Sequence, residues 1–215
     1  MKYWIAILIV SVLSIESARA DFVGVKAGVD VFFLDASGDM GFESEEWSDK
    51  SRFGLYVAAE HPVPLLPNPM IRFNQLSLEE AGETYTMDNL DLILYYEILD
   101  NGLVSLDLGV NYRIYDGALT RDADLSEGLA MVYGAGQVDL WGTGLFAFAD
   151  VSVGLDSDQS IGDLNVGLGK AWSLAIGKVV GRVGYRQHDF DVSDFGQVTA
   201  DLQQSGFFLG AAVHF

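Results

Sequence analysis

The sequence predicts an all-β fold: a transmembrane antiparallel up-and-down β-barrel of ten strands, following a cleaved signal peptide. Three observations predict it. Apolar and polar residues alternate with period two through ten segments, the signature of strands with unlike faces. Tight turns and longer acidic links alternate between those segments, as they do in membrane barrels. Past residue 20 the chain has no unbroken apolar run of the roughly 18 residues that mark a spanning helix.

The leader comes first. Lys2 supplies a positive start, Trp4 to Leu13 is almost wholly apolar, and Ala18-Arg19-Ala20 sets small residues around a cut before Asp21. These are the three regions of a secretory signal, so residues 1–20 are expected to be removed and 21–215 to form the barrel domain. An uncleaved helical anchor needs roughly 20 apolar residues, more than this run supplies. The absence of cysteine excludes a lipoprotein, disulfides, thiolate metal sites and a cysteine nucleophile.

Strand one, 22–33, places Val23, Val25, Ala27, Val29 and Val31 opposite Gly24, Lys26, Gly28 and Asp30. The second, about 52–60, opposes Phe53, Leu55, Val57 and Ala59 to Arg52, Gly54, Tyr56 and Glu60. It ends in His61-Pro-Val-Pro-Leu-Leu-Pro-Asn68, whose prolines stop sheet pairing. In the third, about 69–78, Ile71 and Phe73 face away from Arg72 and Asn74. The fourth, about 86–98, is the clearest, with Leu90, Leu92, Leu94, Tyr96 and Ile98 against Asn89, Asp91, Ile93, Tyr95 and Glu97. Asp100-Asn101-Gly102 then marks a tight turn. The fifth, about 103–115, carries Ser105, Asp107, Gly109, Asn111 and Arg113 on its polar face.

The sixth, about 130–140, is weakly patterned, with Tyr133, Gln137 and Asp139 opposite Val132, Val138 and Leu140. The seventh, about 145–155, sets Phe146, Phe148, Asp150 and Ser152 against Leu145, Ala147, Ala149 and Val151. The eighth, about 162–172, is also weak, with Asp163, Asn165 and Gly167 opposite Leu164, Val166 and Leu168. Because of these two weak strands, eight strands is the alternative count. The ninth, about 178–190, puts Arg182, Gly184, Arg186 and His188 on one face. Residues 34–51, 79–85, 117–129, 156–161 and 190–204 read as the longer polar links. The last strand, 206–215, is GFFLGAAVHF.

Charge narrows the partners. The 215 residues hold 12 Lys and Arg against 31 Asp and Glu; removing Lys2, Glu16 and Arg19 leaves 10 against 30, a net −20. Nucleic acid, which needs clustered basic residues, is excluded. Anionic lipid headgroups are repelled unless divalent cations intervene.

Alternation alone also suits a soluble carrier barrel. The polar faces decide, because they hold Gly, Asp, Asn, Arg and Tyr with hardly any lysine, a composition for a crowded interior and not for bulk water. Lys26, Arg52, Arg72, Arg113, Arg182 and Arg186 are therefore expected to pair across the lumen with Asp30, Glu60, Asp91, Glu97, Asp107, Asp139 and Asp150. Tyr96, Tyr112, Trp141, Trp172, Tyr185 and Phe215 fall near strand ends, where an aromatic girdle belongs.

The closing strand, with Phe207, Leu209, Val213 and terminal Phe215 on one face, resembles the assembly signal of bacterial outer-membrane barrels. More of the chain resembles a family of small proteobacterial outer-membrane barrels named for its co-occurrence with the GlyGly C-terminal sorting system. It is similar in general type to OmpX- and OmpW-like barrels. The resemblance lies in Asp-Phe-Val-Gly-Val-Lys-Ala-Gly at 21–28 and in LILYYEILDNGLVSLDLGVNYRIYD from Leu92 to Asp116. It continues in Ala130-Met-Val-Tyr133, Val138-Asp-Leu140 and Gly184-Tyr-Arg186. It implies the fold and the outer membrane, with both termini periplasmic, and brings no catalytic residues. Lipids, lipopolysaccharide and the barrel-assembly machinery are the partners it implies.

Three functions follow as expectations. The first is a structural or interaction barrel with a plugged, charge-paired lumen, acidic outer loops and no cofactor. The second is a narrow channel for small solutes. The third is a surface hydrolase, for which His188 beside Asp189 and Asp191 is the one candidate, a His–Asp pair being able to activate water; the competing expectation is a solvated rim histidine. Asp35, Asp39, Glu43, Glu45 and Glu46 offer oxygen ligands to divalent cations, without EF-hand spacing.

Overall fold

A computed structural model describes residues 24–39, 50–63, 65–80, 83–118, 124–196 and 198–215. Residues 1–20, expected to be a signal peptide, and the candidate ligands Glu43, Glu45 and Glu46 lie outside them. Among the described residues the strands are β1 (Gly24–Asp39), β2 (Lys50–Glu60), β3 (Asn68–Asn74), β4 (Leu78–Glu80), β5 (Glu83–Tyr85) and β6 (Asp88–Asp100). They continue with β7 (Val104–Ala118), β8 (Asp124–Leu140), β9 (Leu145–Gly154), β10 (Gln159–Leu174), β11 (Gly177–Phe195) and β12 (Val198–His214). Ten of them close a barrel in the order β1-β12-β11-β10-β9-β8-β7-β6-β3-β2, while β4 and β5 form a separate hairpin. Ten strands, not eight, is the count.

Closure joins the ends of the chain. β1 pairs antiparallel with β12 from Lys26↔His214 to Asp39↔Asp201. At the very end the Val25 amide donates to the Phe215 carbonyl (3.1 Å) and the Phe215 amide to that of Val25 (2.9 Å). A sheet edge left open in lipid strands its backbone groups without partners, at several kcal/mol each. The last residue is thus part of the seam.

Side chains follow the alternation. Phe207 and Leu209 are 67 % and 57 % exposed, whereas Phe208 between them is 2 % exposed. The outward row of β1, β2, β3, β6 and β7, including Val29, Leu55, Ile71, Leu92 and Val110, is likewise exposed. Aliphatic side chains in that number facing outward are a hydrocarbon-facing belt. Phe53 and Phe73 pair at its upper margin with centroids 6.0 Å apart, as do Tyr185 and Phe207 at 5.5 Å. At the turn end Trp141, Trp172, Tyr96 and Phe215 are exposed.

The links expected to be long loops are largely strand. Segment 190–204 continues β11 and β12 to Phe195↔Val198, with a register shift between Val192 and Phe195. Segment 117–129 continues β7 and β8 to Ala118↔Asp124, and β10 begins at Gln159 inside the expected 156–161 link. The 79–85 link is the β4–β5 hairpin. A tilted crossing uses roughly 9–11 residues, but β11 has 19 and β12 has 17.

Beyond the belt the two faces exchange chemistry. On β12, Ala211, Leu209 and Phe207 point outward first, followed by Gln203, Asp201 and Thr199, while Leu202, Ala200 and Val198 are buried inside. On β11 the inner row passes from Arg182, Arg186 and His188 to Phe190 and Val192. These apolar residues join Leu34, Tyr115, Leu125, Leu129, Met131 and Ile161 in one cluster. Leu76, Leu78 and Met87, at the base of the β4–β5 hairpin, complete it. Arg52 pins that base: its Nη1 donates to the Leu34 carbonyl (2.9 Å) and its Nε to the Ser77 carbonyl. The barrel is thus lined with polar groups at the belt and with an apolar core above it.

Deleting Phe215 is expected to impair assembly more than deleting residues 120–122 of the β7–β8 link. Heat-modifiable gel mobility after refolding into lipid measures this, and equal folding of both variants would contradict the closure argument.

Candidate functional site

The inner faces of neighbouring strands bring charges together at three levels along the barrel axis. The uppermost level is a continuous chain. Arg113 on β7 donates to both carboxylate oxygens of Asp91 on β6 (Nε 2.6 Å, Nη2 2.8 Å) and also to Asp163 on β10 (2.8 Å). Arg186 on β11 holds the same Asp163 in a fork, at 3.1 and 2.7 Å. It also donates to Asn74 (3.0 Å), which passes a hydrogen bond to Asn89 (2.8 Å). Two acids and two guanidiniums balance in charge, and the paired forks hold planar groups in fixed geometry. The Arg186 guanidinium lies 4.5 Å from the Phe32 ring centroid, so the layer is joined to the apolar cap above.

At the middle level Arg72 grips Asp150 across the lumen (2.9 and 2.6 Å). Tyr133 donates to the same carboxylate at 3.2 Å. Arg182 donates through Nη2 to both oxygens of Asp30, each at 2.8 Å, and its guanidinium lies 5.1 Å from the Tyr56 ring centroid. Gly210 makes this approach possible: a Cβ there would run into the Asp30 carboxylate and come within 3.3 Å of Arg182 Nε. At the lowest level Lys26 pairs with Glu60, which also accepts from the Tyr95 hydroxyl at 3.1 Å.

Solvent access falls from level to level. Side chains at the lowest pair are 35 % and 19 % exposed, the middle pairs 14–19 %, and the uppermost residues 0–1 %. The lumen is therefore a cup whose solvent access narrows from the turn end toward the apolar cluster. Its cavity measures about 140 Å³ and is lined by Lys26, Asp30, Tyr56, Arg72, Asp107 and Asp150 among others. A water occupies about 30 Å³, so it holds a few waters and falls short of the roughly 300–1,000 Å³ of a ligand cleft.

The remaining charged candidates sit differently. Glu97 and Asp107 are register partners on the inner face near the mouth, two like charges side by side, and Asp139 accepts a hydrogen bond from Gln137 (3.0 Å). Arg52 binds backbone carbonyls in the cap. Asp163, the acid shared by two arginines, was absent from the expected pairs. Its position opposite Leu164 showed its face, but only the β10–β11 register Asn165↔Arg186 shows its partners.

His188 is not a solvated rim residue. It is 0 % exposed, inside the barrel, and shares a 3.0 Å hydrogen bond between Nε2 and the Tyr115 hydroxyl. Asp189 and Asp191, at odd spacing from it, lie on the opposite face of β11. Asp189 there accepts from Gln187 (2.9 Å) and Gln203 (2.7 Å). His188 is thus not paired with Asp189 or Asp191; the acid opposite it on the inner face is Asp163, which two arginines hold. Among the described residues no group of three His, Asp or Glu is placed to hold a metal; Asp35 and Asp39 sit on β1.

Comparison with family models finds no match, and comparison with curated proteins finds none. Among solved structures the chain is similar to neisserial surface protein A, at 14 % identity over 89 % of this chain and 97 % of that one, with a TM-score of 0.39. It is also similar to the outer membrane protease OmpT of Escherichia coli, at 9 % identity over 94 % and 99 %, TM-score 0.43. A Pseudomonas aeruginosa FadL homologue aligns at 8 % identity over 92 % of this chain and 65 % of its own, TM-score 0.37.

Removing one member of a buried ion network leaves charge uncompensated, at a cost of about 3–5 kcal/mol. Asp163→Ala, which strips a partner from both Arg113 and Arg186, is expected to destabilise by that amount in reversible urea unfolding. Glu60→Gln at the solvated level should cost less than about 1 kcal/mol. Equal effects of the two would contradict the gradient of burial.

Proposed function

We propose that this chain is an integral protein of the bacterial outer membrane whose barrel is a plugged scaffold, with termini and tight turns on the periplasmic side. Its role is structural or interactive: the barrel anchors an acidic, strand-built head at the cell surface. The observation that carries this reading is the sealed Asp91–Arg113–Asp163–Arg186 layer, 0–1 % exposed, beneath an apolar cap. The burial of both layers supports a lumen closed to solutes. The head meets lipopolysaccharide phosphates through divalent cations, and the assembly machinery reads β12. The resemblance to barrels that accompany the GlyGly C-terminal sorting system belongs to the same proposal.

The buried, Tyr115-bound His188 favours this over a surface hydrolase. A narrow channel is the second reading, supported by the cup that opens at the turn end.

Planar-bilayer recording from purified protein separates the two. The plugged scaffold is expected to insert without stepwise openings. Discrete conductance steps in the unmodified protein would overturn it in favour of the channel.

A further inference from the structure

The β2–β3 seam is the shortest in the barrel, running only from Gly54↔Asn74 to Ala58↔Met70. Toward the turn end the ladder stops there, although β6 beside it continues through outward-facing Tyr96 and Ile98 to Asp100. Residues 61–63 and 65–67 cross this gap outside the ladder as a strap that reaches belt residue Tyr96 at Leu65. In water, loose backbone groups are satisfied by solvent; in hydrocarbon each needs an internal partner.

The strap is composed for the second case. Three of its seven residues are prolines, which carry no N–H. The His61 amide donates to Asn68 Oδ1 (3.1 Å) and the Val63 amide to His61 Nδ1 (3.3 Å). With Nδ1 accepting, Nε2 is the protonated nitrogen, and it donates to the Pro67 carbonyl (3.3 Å). The hydroxyl of Tyr96, a lipid-facing residue, donates to the Leu65 carbonyl (2.9 Å) and holds the strap against the outside of the wall.

Its leucine and valine side chains are exposed. Val63, Leu65 and Leu66 are 54 %, 92 % and 55 % exposed. Leu65 has φ 68°, a left-handed turn conformation that costs a leucine energy. From His61 to Ile71 there is no Asp, Glu, Lys or Arg, in a chain of net charge −19. Turns elsewhere at this end also present apolar tips, Leu103, Trp141 and Ile176.

We infer that this strap is lipid-inserted and docks Val63, Leu65 and Leu66 into the headgroup–acyl boundary of the leaflet at the turn end. The occupant is phospholipid because Val63, Leu65 and Leu66 continue the lipid-facing belt on a stretch that carries no charge. The inference rests on the belt being lipid-facing, and the test separates the two.

Single-tryptophan proteins in vesicles of brominated phosphatidylcholine provide it. One retains Trp172, with Trp4, Trp47 and Trp141 replaced by phenylalanine; the other replaces all four and carries Leu65→Trp. Both are expected to lose emission to bromine and to resist aqueous iodide, with shallow bromines most effective on Leu65→Trp. Water-like, iodide-quenched emission from Leu65→Trp while Trp172 is quenched by bromine would overturn the strap alone. Insensitivity of Trp172 to bromine would overturn the membrane reading with it. Adding His61→Ala and Tyr96→Phe to the Leu65→Trp protein is expected to restore iodide quenching, and unchanged protection would overturn the clip that those bonds form.

Discussion

The need to hydrogen-bond every backbone amide at membrane depth governs this molecule. Helices are ruled out by the lack of long apolar runs, so satisfaction comes from a closed ring of strands. That ring requires the last strand to meet the first, and the mutual bonds of Val25 and Phe215 complete it. It also requires each strand to keep one face inward along its whole length. Where the ring has a short seam, between β2 and β3, side chains and prolines take over part of what the ladder leaves undone.

A constant inward face has consequences because the barrel meets two surroundings. At the belt its outside meets hydrocarbon, so the residues left for the lumen are polar and charged. Above the belt its outside meets water and turns acidic, and the lumen becomes apolar. A single strand such as β12 records both, passing from Leu209 outside to Leu202 inside without breaking alternation. The charged layer is the more demanding of the two, since a buried charge without a partner is costly. Forked arginines meet that demand, and Asp163 serves two of them at once.

The fold was legible in the residues to a large extent, because parity along a strand is written directly in the order of side chains. The strand extensions were legible in the same way, yet their acids read as loop. Val198, Ala200 and Leu202 alternate with Thr199, Asp201 and Gln203 as regularly as the belt does; what changes is the side on which water lies. His188 shares parity with Arg182 and Arg186, which marks it as inward. Its burial depends on the Phe190 ring and Tyr115 closing over it, and neither closure is a local property.

The sequence by itself determined the strand faces and the polar chemistry of the lumen at the belt, since these depend on neighbours one or two positions apart. The closed ring settled the count at ten. Tertiary structure alone decided which charges meet. Arg72 and Asp150 are 78 positions apart and Arg182 and Asp30 are 152, so their contact depends on register, stagger and closure summed around the whole ring. For the same reason the sealing of the cup and the outward turn of the strap over Tyr96 belong to the closed barrel and not to any one strand.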